Sequence, residues 1–203
     1  MGRDAFLAAD PVLGLTQTSA PVSDAVDLDL VRRYGRISGT GDNDTLIQFL
    51  RMATEIAEKN ICWRQFITAT WTINLDRFPH EIIIPYPPLQ SITTIKYFDT
   101  DGDQQTVTAS DYQVDILREP GRVMPAWNVS WPPTRRIYNS VEVKFLAGYG
   151  AQSAMPEPLK MAIAALTAYY YEFRGDDMAM PSARPIPPHI MQMFEPYRVI
   201  WAA

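Results

Sequence analysis

Two stretches with helical periodicity, residues 23–62 and 156–174, bracket a long span, residues 63–155, that reads almost wholly as strand and turn. A helix buries a stripe with a period of 3.6 residues, whereas a strand buries alternate residues, so the two patterns need separate partners to cover their apolar faces. The expected fold is therefore α+β: an antiparallel helical bundle interrupted by an inserted small antiparallel β domain. The expected organisation is an extended N-terminal arm over residues 1–22, a helical core over 23–62 and 156–203 that includes a C-terminal tail, and the inserted β region over 63–155.

The helical stretches carry start and stop signals. Pro21-Val22-Ser23-Asp24 opens the first, with Val26, Leu30, Val31 and Tyr34 on one face and Gly35 expected to close it. Asp42 or Asn43 caps the second, where Leu46, Phe49, Leu50, Ala53, Ile56, Ala57 and Ile61 recur at three- and four-residue steps and predict helix from residue 44 to 62. Pro156 and Pro158 suit the first turn of a third helix, whose stripe of Leu159, Ile163, Leu166, Tyr170 and Phe173 ends before Gly175. After a proline-rich linker over 176–188, Ile190, Phe194, Tyr197 and Trp201 fall at helical spacing, but Pro196 forbids a continuous helix. A short helix leading into a kinked or extended tail is expected.

From Ile67 the period becomes two. Ile67, Ala69, Trp71, Ile73 and Leu75 alternate with Thr68, Thr70, Thr72, Asn74 and Asp76, as in a half-buried strand. Further short strands are expected at 82–84, 92–98, 104–108, 112–116, 122–124 and 141–146, with Asp99-Thr100-Asp101-Gly102 forming a hairpin turn between two of them.

Composition narrows the function. No apolar run approaches the roughly 20 residues of a membrane span, and the first ten residues are broken by Asp4 and Asp10, so neither a membrane protein nor a secretory signal is expected. Cys62 is the only cysteine, which excludes an internal disulfide; a buried thiol at a helix end is expected. A formal net charge of -5 lacks the basic footprint of a nucleic-acid binder.

Recognisable catalytic motifs are missing: there is no G-x-S-x-G elbow, Walker loop or dinucleotide fingerprint. His80 and His189 lie far apart without a ligand-spaced partner, and Asp99, Asp101 and Asp103 fit a hairpin turn better than a twelve-residue calcium loop. No enzymatic activity, catalytic residue, metal or cofactor is expected. Trp127 and Trp131, in a proline-flanked loop, are candidate interface aromatics or core residues; as an exposed pair they also suit a carbohydrate- or ligand-binding β module. A hydrolase working through an acidic cluster near Asp101 is a third reading.

The order of segments is more informative than any one of them. Pro21-Val22-Ser23, Asp42-Asn43-Asp44, the run Thr70 to Pro79, Ile84-Pro85-Tyr86-Pro87-Pro88-Leu89, Tyr97 to Gly102, Phe145 to Gly150, Pro156-Glu157-Pro158-Leu159-Lys160 and Pro196-Tyr197-Arg198-Val199 together resemble the phage head-tail connector family, including adaptors of gene transfer agents. The likeness spans residues 21–199. It implies a head-completion adaptor in the virion neck, assembled in the host cytoplasm as a ring, usually of twelve copies, between the portal protein and a head-closure (stopper) or other neck protein. DNA would pass through the channel without specific binding. Phe194, Tyr197, Arg198, Ile200 and Trp201 in the C-terminal tail are then the expected portal-binding residues.

Overall fold

A computed structural model describes residues 14–174 and 185–200. The fold is α+β with antiparallel sheets, and the chain divides into two compact units. One comprises residues 22–67 and 149–198; the other comprises 1–21, 68–148 and 199–203. Among the described residues, no helix is long and apolar enough to cross a membrane.

Among its described residues the first unit holds four α-helices: α1 (Leu28–Gly35), α2 (Asn43–Ile56), α3 (Glu157–Glu172) and α4 (Pro188–Phe194). Helix α3 is the centre of this unit, with Leu159, Ala162, Ile163, Ala164, Ala165, Leu166 and Ala168 all buried. Helix α2 turns Leu46, Leu50 and Ala53 inward, as its stripe predicts. The α-helix stops at Ile56, however, and Ala57–Cys62 form a π-helical turn in place of the expected α-helix to residue 62. That wider turn ends at Trp63, whose left-handed backbone (φ 55°) reverses the chain.

Gly35 has a different role from the expected cap. It is the last residue of α1, and Arg36 takes the left-handed position (φ 50°). A Cβ at Gly35 would lie 3.1 Å from Ile37 Cδ1 and 3.2 Å from Ala168 Cβ, so the glycine lets α1 approach α3 closely.

The second unit contains a five-stranded antiparallel sheet in the order β1-β2-β8-β4-β5 and a three-stranded sheet in the order β3-β7-β6. Its strands are β1 (Gly14–Ser19), β2 (Ala69–Leu75), β3 (Ile82–Ile84), β4 (Leu89–Phe98), β5 (Gln104–Thr106), β6 (Tyr112–Asp115), β7 (Gly121–Pro125) and β8 (Val141–Ala147). Their inward residues, including Trp71, Ile73, Ile84, Ile95, Val123, Val143 and Phe145, form a single apolar cluster, with Trp71 stacked on Tyr86 at 4.8 Å. The expected hairpin joins β4 to β5. Asp99 fastens its turn: Oδ1 accepts the amides of Asp101, Gly102 and Asp103, and Oδ2 accepts Gln105 Nε2. These donors, the Gln105 amide foremost, hold the carboxyl below its usual range.

The arm expected over residues 1–22 is a strand for part of its length. Gly14–Ser19 pair antiparallel with β2 at the sheet edge, and Thr18 Oγ1 meets Thr72 Oγ1 at 2.8 Å. A strand lettered Gly-Leu-Thr-Gln-Thr-Ser shows no alternation because, at an edge, backbone pairing rather than side-chain burial holds it. Residues 1–13 lie outside the described residues.

Phe194 is fully buried in the helical core. Phe194→Ala is expected to cost about 3–5 kcal/mol of folding stability, read as a lower chemical-denaturation midpoint for the purified chain.

Candidate functional site at the C-terminal tail

Helix α4 ends where Pro196 removes an amide, as the sequence leads one to expect, but it begins at Pro188, which the sequence assigns to the linker. The chain continues as a tight 3-10 turn over Glu195–Tyr197, closed by Arg198 N donating to Glu195 O at 3.3 Å. Beyond it Val199 is half-buried and Ile200 is 85% exposed.

The five residues expected to bind a portal do not share one surface. Phe194 faces the core, so its side chain anchors α4 and is unavailable for docking; this corrects the expectation drawn from its helical spacing with Tyr197. Tyr197 is half-buried against the same core. Arg198 is exposed and pairs with Glu195 at 3.0 Å, an arrangement worth little in solvent and free to be exchanged for a partner's carboxylate. Ile200 is exposed, and Trp201 lies outside the described residues.

The root of this tail is held by residues that sequence reasoning missed. Arg64, only 7% exposed, donates from Nε to the carbonyl of Tyr197 at 3.0 Å, and its guanidinium lies 5.6 Å from the Tyr149 ring centroid. Cys62 Sγ is 4.0 Å from the carbonyl oxygen of Phe194. Burial pushes that thiol up to about 12, against the pull of Arg64 and Arg198, so it stays protonated.

Glu58 organises the turn that presents Arg64. Its backbone carbonyl accepts the amides of Trp63 and Arg64, while Oε1 accepts Gln65 Nε2 at 2.7 Å and Phe66 N at 2.8 Å. Burial raises the Glu58 carboxyl from 4.5 to about 7; the Phe66 amide and Lys59 oppose the rise, and Glu55 adds to it. No sequence signal marks Glu58, because the π turn that brings it inward is invisible to helical periodicity.

The candidate interface aromatics separate. Trp127 is 91% exposed in the loop after β7, but Trp131 stacks on Phe78 at 4.6 Å with ring planes 6° apart, and Phe78 meets Tyr97 edge-on. A paired stacking platform for a sugar is therefore not formed by these two rings. Leu117, at the β6–β7 turn, is 93% exposed, and Tyr138 is exposed as well. Elsewhere, a cleft of about 260 Å³ in the helical unit is lined by residues that include Arg32, Asp42 and Tyr171. There Asp42 is already engaged by Tyr171 Oη at 2.6 Å and Arg174 Nη2 at 2.8 Å. Among the described residues, no group of three His, Cys, Asp or Glu side chains could hold a metal ion.

A model of head completion proteins matches residues 25–200. The chain belongs to the head completion protein family. The family resemblance seen in the ordered motifs is thus borne out. Three solved chains share the fold of this family member. A chain from the neck of an empty gene transfer agent particle, computed with C6 symmetry, matches at 25% identity and a TM-score of 0.73, covering 94% of this chain and 97% of the other. One from the virion of a native gene transfer agent particle matches at 23% identity and a TM-score of 0.73, over 93% and 97%. One from the neck of a native particle, computed with C12 symmetry, matches at 23% identity and a TM-score of 0.70, over 94% and 97%. No curated protein matches the chain.

The Glu58 carboxyl supplies a pH test. A carboxyl whose folded-state value is raised contributes stability that is present below its unfolded value of 4.5 and lost as pH rises through about 7. The thermal midpoint is expected to fall between pH 5 and pH 8. Glu58→Gln, which keeps an acceptor for the Phe66 amide but cannot ionise, should flatten that part of the profile.

Proposed function

We propose that this head completion protein is a structural component of the neck of a phage-like particle and works without catalysing a reaction. The observation that carries the reading is the family match over residues 25–200, together with likeness along 94% of the chain to a neck protein of a gene transfer agent particle. In the finer reading, copies assemble as a ring of twelve between the portal protein and the next neck protein. C12 symmetry in a related neck favours that number. The helical unit, interrupted in sequence by the β unit, forms the ring wall, and the tail from Val199 onward docks on the portal.

The physics suits that role. Burying Ile200 or Trp201 against a partner contributes roughly 1.5–3 kcal/mol each before ordering costs. Repetition around a ring turns weak single contacts into firm attachment through effective concentration. A net charge of -5 favours a channel along which DNA slides without adhering. Arg198, released from Glu195, adds a charge that can meet an acidic portal surface.

Buried Ile190 and Phe194 define the informative truncation: removing all of α4 would expose the core, whereas ending the chain at Arg198 spares it. The chain lacking residues 199–203 is expected to keep its thermal midpoint and lose co-migration with purified portal rings. Docking that survives this deletion would refute the tail assignment, and absence of ring density below the portal by electron microscopy of mixtures with the intact chain would refute the adaptor reading.

A further inference from the structure

We propose that Arg64 is the positioning residue of the C-terminal tail, clamping the Glu195–Tyr197 turn at the tail's root. The inference rests on the reading of that tail as the docking element. It is carried by the contact of the Arg64 Nε with the Tyr197 carbonyl and by the construction that holds Arg64 in place.

A guanidinium buried to 7% exposure is a costly way to fill space, and an apolar side chain of similar shape would do so at lower desolvation cost. What the guanidinium adds is direction. Its Nε donates to one carbonyl, in a turn where Pro196 has no amide to contribute and which Arg198 N closes by donating to Glu195 O at 3.3 Å. The face of Tyr149 limits the guanidinium on another side. Behind it, the main chain of residue 64 is fixed by Trp63 in the left-handed region and by the Glu58 carbonyl, and the Glu58 carboxyl ties down the next two residues. Arg64 therefore reaches Tyr197 from a base that these contacts fix. A docking segment of five residues gains from such a root, because a segment that departs from a fixed point loses less conformational freedom on binding.

Arg198 is exposed and Val199 half-buried, and trypsin cutting between them gives a readout that needs no partner, since it removes residues 199–203 as a single mass loss. Full-length protein, Arg64→Met and Arg64→Lys are compared for cooperative thermal unfolding, for the rate of that cut, and for docking on portal rings. In a folded Arg64→Met chain, the cut is expected to be about tenfold faster and docking about tenfold weaker, the weight of one charged hydrogen bond. Arg64→Lys, which keeps the charge without the planar fork, should fall between the two. Unchanged cutting in a folded Arg64→Met chain overturns the proposal, and so does faster cutting with unchanged docking. If neither variant folds, amide exchange in the natural chain decides: protection of the Arg198 amide comparable to that within α4 supports the clamp, and exchange at the rate of an unstructured peptide overturns it. The chain ending at Arg198 separates the two ideas. If it docks as well as the intact protein, the tail reading fails, while the cutting rates still report whether Arg64 fixes the turn.

Discussion

The approach of α1 to α3 depends on side chains that are nearly absent. At Gly35 a single added carbon would press on Ile37 and on Ala168, and the facing helix supplies Ala162, Ala164, Ala165 and Ala168 where larger residues would hold its neighbours away. Helices that pack at the short end of the usual 8–10 Å range bury their intervening surfaces completely. That is why α3, with little amphipathic contrast of its own, can be buried along most of its length. The other helical features follow from this centre: α2 lays its stripe against it, α4 adds Ile190 and Phe194, and the turn after Cys62 meets the end of α4.

Periodic burial was legible in the sequence wherever it was strong. The stripe through Leu46, Leu50 and Ala53, the alternation through Trp71, Ile73 and Leu75, and the turn at Asp99–Gly102 each carry one physical signal uncontested by another. Elements held by something other than side-chain periodicity were not legible. Strand β1 is held by ladder hydrogen bonds at a sheet edge, and the π turn at Ala57–Cys62 changes the helical pitch without changing composition. At the tail, spacing placed Phe194 and Tyr197 on one face, but it could not say whether that face meets the core or a partner. Arg64 was missed because its partner is a backbone carbonyl 133 residues away, which leaves no mark on the letters, and Glu58 because the π turn that brings it inward does not alter the helical pattern.

Family and fold agree on a structural role, and the geometry distributes that role unevenly along the chain. Apolar exposure in the β unit gathers at Leu117, Trp127 and Tyr138, in turns and loops, while its cluster of inward residues is closed. The helical unit contributes instead the turn at Glu195–Tyr197, which Arg64 holds at the Tyr197 carbonyl. An assembly protein built this way can vary its contacts in loops and termini without disturbing either apolar cluster, since neither Phe145 nor Leu159 shares a face with them.

Cys62 also bears on how such a protein survives among copies of itself. Wherever many identical chains crowd together, one accessible thiol per chain is an invitation to covalent cross-linking once the surroundings turn oxidising. Here the sulfur is fully buried and kept protonated beneath the carbonyl of Phe194. Burial therefore keeps this thiol from cross-linking for as long as the chain stays folded. It also leaves the natural chain ready for a single reporter group, because a cysteine introduced on the surface would be modified while Cys62 stayed inert.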